Sequence, residues 1–127
     1  MRNRQIDSSL TRWHVFDDAA AVAVQAAQRI LHAASEAIDE RGLFRIVLAG
    51  GRTPEAAYRL LLDADTDWSR WEVYFGDERC LPADDEQRNS LMAARALLDS
   101  VAVPAGNIHP IPAELGAEAA ARNYEPL

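Results

Sequence analysis

Two short clusters in this sequence have the residue types and spacing to do chemistry. The first, "GGRTP", places Gly50, Gly51, Arg52 and Thr53 between an apolar run and an amphipathic stretch that opens with Pro54 and Glu55. Adjacent glycines let a backbone turn tightly and approach a ligand with no Cβ in the way. Thr53 reads as an N-cap and Pro54 as the first helical residue, so a helix is predicted to begin there. The open N–H groups and positive dipole end of a helix start favour phosphate or carboxylate, and Arg52 would add a fixed cation. The second cluster sets Asp77, Glu78 and Arg79 directly behind a strand-like run. A carboxylate here can orient water or hydroxyls, and the arginine beside it can stabilise a developing negative charge.

Each cluster also has a purely structural reading. Strand-to-helix turns of α/β proteins use glycine without any ligand, and three charges behind a strand can be a solvated loop. The glycines fit neither the P-loop, which ends in Gly-Lys-Ser/Thr, nor the Gly-x-Gly-x-x-Gly of dinucleotide folds. What favours a site is position. Open parallel sheets collect ligands at the carboxyl ends of their strands, and both clusters leave such ends.

The elements that would hold them there can be read along the chain. Trp13 to Phe16 make a short strand candidate. Asp17 and Asp18 then offer a cap and dipole-matched acids for a long alanine-rich helix. Ala20, Val24, Ala27, Leu31, Ala34 and Ile38 give that helix one apolar stripe, and Gly42 ends it. "LFRIVLAG" reads as a buried strand. The helix behind it carries Ala57, Leu60, Leu61 and Ala64 on one face, with a Glu55–Arg59 pair off it. "WEVYFG" is the next strand, followed by a polar loop, a helix marked by Leu91, Ala94, Leu98 and Val101, a short strand in "NIHPIP", and a last helical segment. Alternating strands and helices predict an α/β fold with parallel βαβ units.

At 127 residues the chain fits one domain with a sizeable core. Thirteen Lys and Arg against twenty Asp and Glu give a net charge of −7, which argues against nucleic acid or an anionic membrane as partner. An anionic ligand must therefore be caught by local arginines. The single cysteine, Cys80, excludes an internal disulfide and a cysteine cluster for zinc, and fits a reducing cytoplasm. No apolar run reaches membrane-spanning length, and Met1 to Leu10 is too polar for a signal peptide, so the expectation is a soluble cytoplasmic chain.

The remaining reactive side chains add little. His14 and His32 read as packing or surface residues, and only His109, ahead of Pro110, stays open as a base. Histidine spacing shows no metal pattern. Cys80 beside Arg79 reads as a half-buried thiol, with an activated nucleophile as its alternative. Trp13, Trp68 and Trp71 are expected in the core.

The segments "LAGGRTP", "FGDERCLPADDEQRN", "NIHPIP" and the tyrosine of "NYE" come in the order and spacing of the 6-phosphogluconolactonases, which the chain resembles from about Trp13 to its end. The resemblance implies a Rossmann-like parallel sheet with flanking helices, a fold shared with glucosamine-6-phosphate deaminases and ribose-5-phosphate isomerases. It implies hydrolysis of 6-phospho-D-glucono-1,5-lactone to 6-phosphogluconate in the pentose phosphate pathway, with no metal and no cofactor. Carried over by position, Gly50, Gly51, Arg52 and Thr53 would embrace the sugar phosphate, while Asp77 and Arg79 would act at the lactone end. Asn89 would fix the loop. Arg88 stands where many members have serine, and adds a candidate cation for the substrate. Members of the family are longer, and their second half carries a Gly-rich "DGH" segment whose histidine is the usual candidate base. Nothing here matches it. The resemblance therefore implies residues 1–12 as a tail and 13–127 as the N-terminal portion of such a domain, its sheet incomplete and its C-terminal half absent. The expected partner is a small sugar phosphate; oligomeric state is not legible. Three alternatives stay open: an amino-sugar phosphate isomerase or deaminase, a non-catalytic sugar-phosphate-binding module, and an interaction domain built from alanine-rich helices.

Overall fold

The computed structural model describes residues 3–7 and 10–127. Its first elements are two strands, β1 (Asn3–Asp7) and β2 (Arg12–Phe16), paired antiparallel from Asn3↔Phe16 to Asp7↔Arg12. Residues 3–7, read from sequence as part of a tail, are thus strand. β2 presents alternate faces: His14 and Phe16 are half-buried, while Trp13 is 59% exposed, which corrects its assignment to the core.

Helix α1 (Ala19–Arg41) starts where the sequence places it. Asp18 is the N-cap, its Oδ1 accepting from the Ala21 N–H at 2.8 Å, and Gly42 closes the helix in the left-handed region at φ 72°. The buried face runs through Ala21, Ala23, Ala27, Ala34 and Ala37. The expected stripe shares Ala27 and Ala34 with it, but Ala20 is exposed and Val24, Leu31 and Ile38 are half-buried. Alanines let the helix approach its neighbours closely, so packing rotates the bulkier positions toward the rim.

Strand β3 (Phe44–Leu48), helix α2 (Arg52–Arg59) and strand β4 (Trp71–Phe75) form the central parallel unit, in register from Phe44↔Trp71 to Leu48↔Phe75. Both strands are rich in β-branched and aromatic residues, and Phe44, Leu48, Trp71, Val73 and Phe75 are buried. Trp71 meets Phe44 edge to face at 4.8 Å and Trp68 at 4.5 Å, and its Nε1–H donates to Thr66 Oγ1 at 3.0 Å. Burying each such large apolar side chain contributes roughly 1.5–3 kcal/mol.

After β4 come α3 (Asn89–Ala96) and α4 (Ala117–Tyr124), separated by short 3-10 turns. Helix α3 stops at Ala96, short of the expected Leu98 and Val101, which fall in and after a 3-10 turn. "NIHPIP" does not form a strand. It makes one parallel bridge, Val73↔Ile108, in which the His109 N–H donates to the Val73 carbonyl at 2.8 Å. Pro110 and Pro112 carry no N–H with which to extend the ladder. The result is an α/β architecture with a small parallel sheet and helices packed on it, α1 against α2 and β3, and α2 against α3.

Candidate functional site

The loop behind β3 is held by its backbone. Helix α2 begins at Arg52 with Gly51 as its N-cap, two residues earlier than expected: Thr53 is not the cap and Pro54 is the third helical residue. Gly51 has φ 106° and ψ 168°, which takes the capping place from Thr53 because a glycine adopts it without strain. The first bond of the helix runs from the Glu55 N–H to the Gly51 carbonyl. Among the described residues, the N–H groups of Gly51, Arg52 and Thr53 have no protein acceptor. One turn along, the buried Tyr58 hydroxyl reaches back, accepting from the Ala49 N–H at 2.8 Å and donating to the Ala49 carbonyl at 3.0 Å. Burial pushes its pKa above the ordinary tyrosine range, against the opposing effect of the Ala49 bond. Glu55 pairs with Arg59 at 3.3 Å, as the spacing predicts.

The loop behind β4 is held by charge. Glu78 turns inward, its carboxylate fully buried. Oε1 accepts from the N–H groups of Asn89 at 2.6 Å and Arg79 at 2.8 Å, and Oε2 from that of Ser90 at 2.9 Å. Glu78 therefore caps α3 from across the loop, since Arg88 at the cap position makes no capping bond itself. Burial alone would raise the Glu78 pKa. The three N–H donors and the charge of Arg88 outweigh it and hold the carboxyl below the ordinary glutamate range.

Arg88, expected as a free cation for the substrate, is 1% exposed and engaged with the protein. Its Nη1 donates to the Leu81 carbonyl at 2.9 Å and Glu114 Oε2 at 3.2 Å, its Nη2 to the Ile111 carbonyl at 3.0 Å, and Nε lies 3.2 Å from Glu78 Oε2. This corrects the sequence reading: the guanidinium joins the polar loop, α3 and the segment ahead of α4. Asn89 does fix the loop, with Nδ2 donating to Asp77 O at 3.2 Å and Oδ1 at 3.1 Å. Tyr124 plays for β4 the part that Tyr58 plays for β3, accepting from the Phe75 N–H at 2.9 Å and donating to the His109 carbonyl at 2.6 Å.

Between the two loops lies a cleft of about 620 Å³, lined by Gly51, Arg52, Glu55, Arg79, Glu86, Gln87, Arg88, Asn89 and Met92. The structure thus brings Gly51, Arg52, Arg79 and Asn89 together. Gly50 sits behind them against Asn89, Thr53 is in the first turn of α2, and Asp77 is exposed beside Asn89 without lining the cleft. Among the described residues, the side chains of Arg52 and Arg79 have no protein partner, whereas Glu55 and Glu86 on the same wall are paired with Arg59 and Arg95. His109 is not part of this wall. Its Nε2 lies 2.7 Å from Glu72 Oε2 and its ring stacks on Tyr74 at 4.7 Å. Cys80 is exposed rather than half-buried, and lines a separate hollow with Tyr124. No group of described His, Cys, Asp and Glu residues is arranged to hold a metal ion, and no described helix is long and apolar enough to cross a membrane.

Sequence reasoning missed Glu78 and Glu114 as structural carboxylates and Tyr58 as a clamp. Tyr58 carried a signal, since it lies beside Ala57 on the buried face of α2 and a buried hydroxyl needs a partner. The two glutamates carried none, because Arg88, the charged partner they share, lies 10 and 26 residues away.

Residues 17–127 match the protein family described as "Glucosamine-6-phosphate isomerases/6-phosphogluconolactonase". The chain is 37% identical over 123 residues to a 6-phosphogluconolactonase of Mycobacterium leprae, covering 89% of this chain and 49% of that one. It is 38% identical over 98 residues to the 6-phosphogluconolactonase of a Nostoc species, covering 77% of this chain and 41% of that one. Among solved structures it superposes on the 6-phosphogluconolactonase of Thermotoga maritima with a TM-score of 0.79 at 29% identity, over 87% of this chain and 50% of that one. The chain spans about half the length of the curated relatives it matches.

Proposed function

Because this chain belongs to the glucosamine-6-phosphate isomerase/6-phosphogluconolactonase family, we propose that it carries the phosphate-binding loop and part of the catalytic pocket of a 6-phosphogluconolactonase, which hydrolyses 6-phospho-D-glucono-1,5-lactone to 6-phosphogluconate. One observation carries this reading. The open start of α2 and the two unpartnered arginines, Arg52 and Arg79, meet in one cleft on a chain whose net charge is −7. Donors and cations gathered against the overall charge suit a dianionic sugar phosphate.

In this reading the N–H groups of Gly51, Arg52 and Thr53 and the Arg52 guanidinium hold the phosphate. Arg79 stabilises the oxyanion that forms when water attacks the lactone carbonyl, and Asp77 orients water or ring hydroxyls. The attack also needs a general base, and no histidine lines the cleft. The chain alone is therefore expected to bind 6-phosphogluconate and to turn lactone over slowly. In this reading the protein works in the cytoplasm, which its single cysteine and the proposed metabolic substrate support.

Titration calorimetry with 6-phosphogluconate tests the reading. Arg52→Ala is expected to weaken binding by about 1–3 kcal/mol, the range for a charge-assisted contact. Equal affinity in parent and variant would remove the phosphate from this loop.

A further inference from the structure

The two adjacent glycines behind β3 are required for different reasons. Gly51 is held at φ 106°, where an L side chain is strained, although a Cβ on it would meet nothing closer than Pro54 Cδ at 3.7 Å. Gly50 is not among the residues of positive φ, so its backbone would accept a side chain. The space would not. A Cβ there would overlap Asn89 Oδ1 and lie 2.7 Å from Asn89 Cγ and 3.0 Å from Nδ2. Nor is Asn89 free to swing away. It is 8% exposed, its Nδ2 is bonded to Asp77, and its main-chain N–H donates to Glu78 Oε1 at 2.6 Å. The carboxamide sits in a socket with the bare Cα of Gly50 on one side and Asp77 on the other.

We propose that Gly50 and Asn89 are positioning residues: Gly50 leaves the room in which the Asn89 carboxamide holds Asp77, so this contact sets the spacing between the β3 loop and the Asp77–Arg79 loop. The proposal rests on the reading of the cleft as a sugar-phosphate site and deepens it. It also reassigns Gly50, which serves Asn89 rather than the close approach of a ligand.

A double-variant cycle on the whole chain separates the two roles. Gly50→Ala, Asn89→Ala and the pair together are compared by thermal unfolding midpoint and by 6-phosphogluconate affinity. Asn89→Ala keeps the backbone N–H that Glu78 accepts, so the cap of α3 survives. Gly50→Ala is expected to lower the midpoint and weaken binding about tenfold, the scale of one lost polar contact. The pair should match Asn89→Ala alone in both measurements, because the added methyl enters the vacated space. If Gly50→Ala alone does not fold, recovery of a folded chain in the pair supports the proposal equally. Additive losses, with the pair worse than either single variant, would overturn it, since Gly50 would then be needed on its own account. Coupled midpoints with one affinity throughout would also overturn it, leaving a packing contact only. Should the parent chain bind no 6-phosphogluconate, the reading of the site fails and the proposal is decided separately by the carboxyl ¹³C resonance of Asp77. That resonance moves in Gly50→Ala and coincides in Asn89→Ala and the pair if the socket holds Asp77; an unmoved resonance overturns the proposal.

Discussion

Helices α2 and α3 each follow a strand of the parallel pair, and each brings its first residues to the same cleft, Gly51 and Arg52 from one and Arg88 and Asn89 from the other. Their positive ends are used differently. At α3 the first N–H groups, those of Asn89 and Ser90, are taken by the buried carboxylate of Glu78, and the neighbouring arginine is ion-paired with Glu78 and Glu114 and bonded to two carbonyls. At α2 the N–H groups of Arg52 and Thr53 have no acceptor among the described residues, and the neighbouring Arg52 has no partner. One helix start is closed by the protein and the other is open to a ligand. The same dipole and the same residue types therefore do structural work in one place and leave a binding surface in the other, and what separates them is whether a carboxylate of the chain reaches the N–H groups first.

The contrast can be broken most forcefully at Arg88. Arg88→Met leaves the Glu78 carboxylate buried without its cation, and the expected loss is about 3–5 kcal/mol of unfolding free energy, read by urea denaturation. Acid tests the same network without mutation. Because the folded pKa of Glu78 lies below its unfolded value, its contribution is complete above the ordinary glutamate range and disappears as pH falls through the folded value. Unfolding midpoints of the parent should therefore drop with acid more steeply than those of Glu78→Gln; parallel profiles would show that the Glu78 charge does not hold the loop.

At the other helix start the expected effect is smaller. Gly51→Ala forces a side chain into a glycine conformation at φ 106°, with a cost of about 1–3 kcal/mol in unfolding free energy. No change in denaturation midpoint would mean that the loop has another conformation open to it. The smallest effect sharpens the comparison most. Arg52→Ala and Arg79→Ala, both exposed and unpartnered, should alter stability by no more than about 0.5 kcal/mol, against the large loss at Arg88. A loss at either position comparable with that at Arg88 would show that its charge is also engaged by the protein.

Much of this molecule was determined by sequence alone. Asp18 and Gly42 set the two ends of α1, and the Glu55–Arg59 spacing an ion pair within α2, by local rules, since a cap or an i,i+4 pair needs only the next few residues. The parallel pair of "FRIVL" and "WEVYF" followed from apolar and β-branched runs on either side of a helix. That the Gly50–Thr53 and Asp77–Arg79 loops share one edge also followed, because consecutive parallel strands bring their trailing loops there, although of these residues only Gly51, Arg52 and Arg79 line the cleft. Only the tertiary structure decided which charges in those loops remained free. "DERC" and "QRN" give Glu78, Arg79 and Arg88 the same outward character in sequence, yet Glu78 and Arg88 are buried together while Arg79 is left to the cleft. Likewise Gly50 and Gly51 are adjacent and identical in sequence, and one is required by its own φ and the other by a side chain 39 positions away. The physical reason is that burial and partnership of a charge depend on groups brought near by packing, whereas caps, turns and strand periodicity depend on neighbours along the chain.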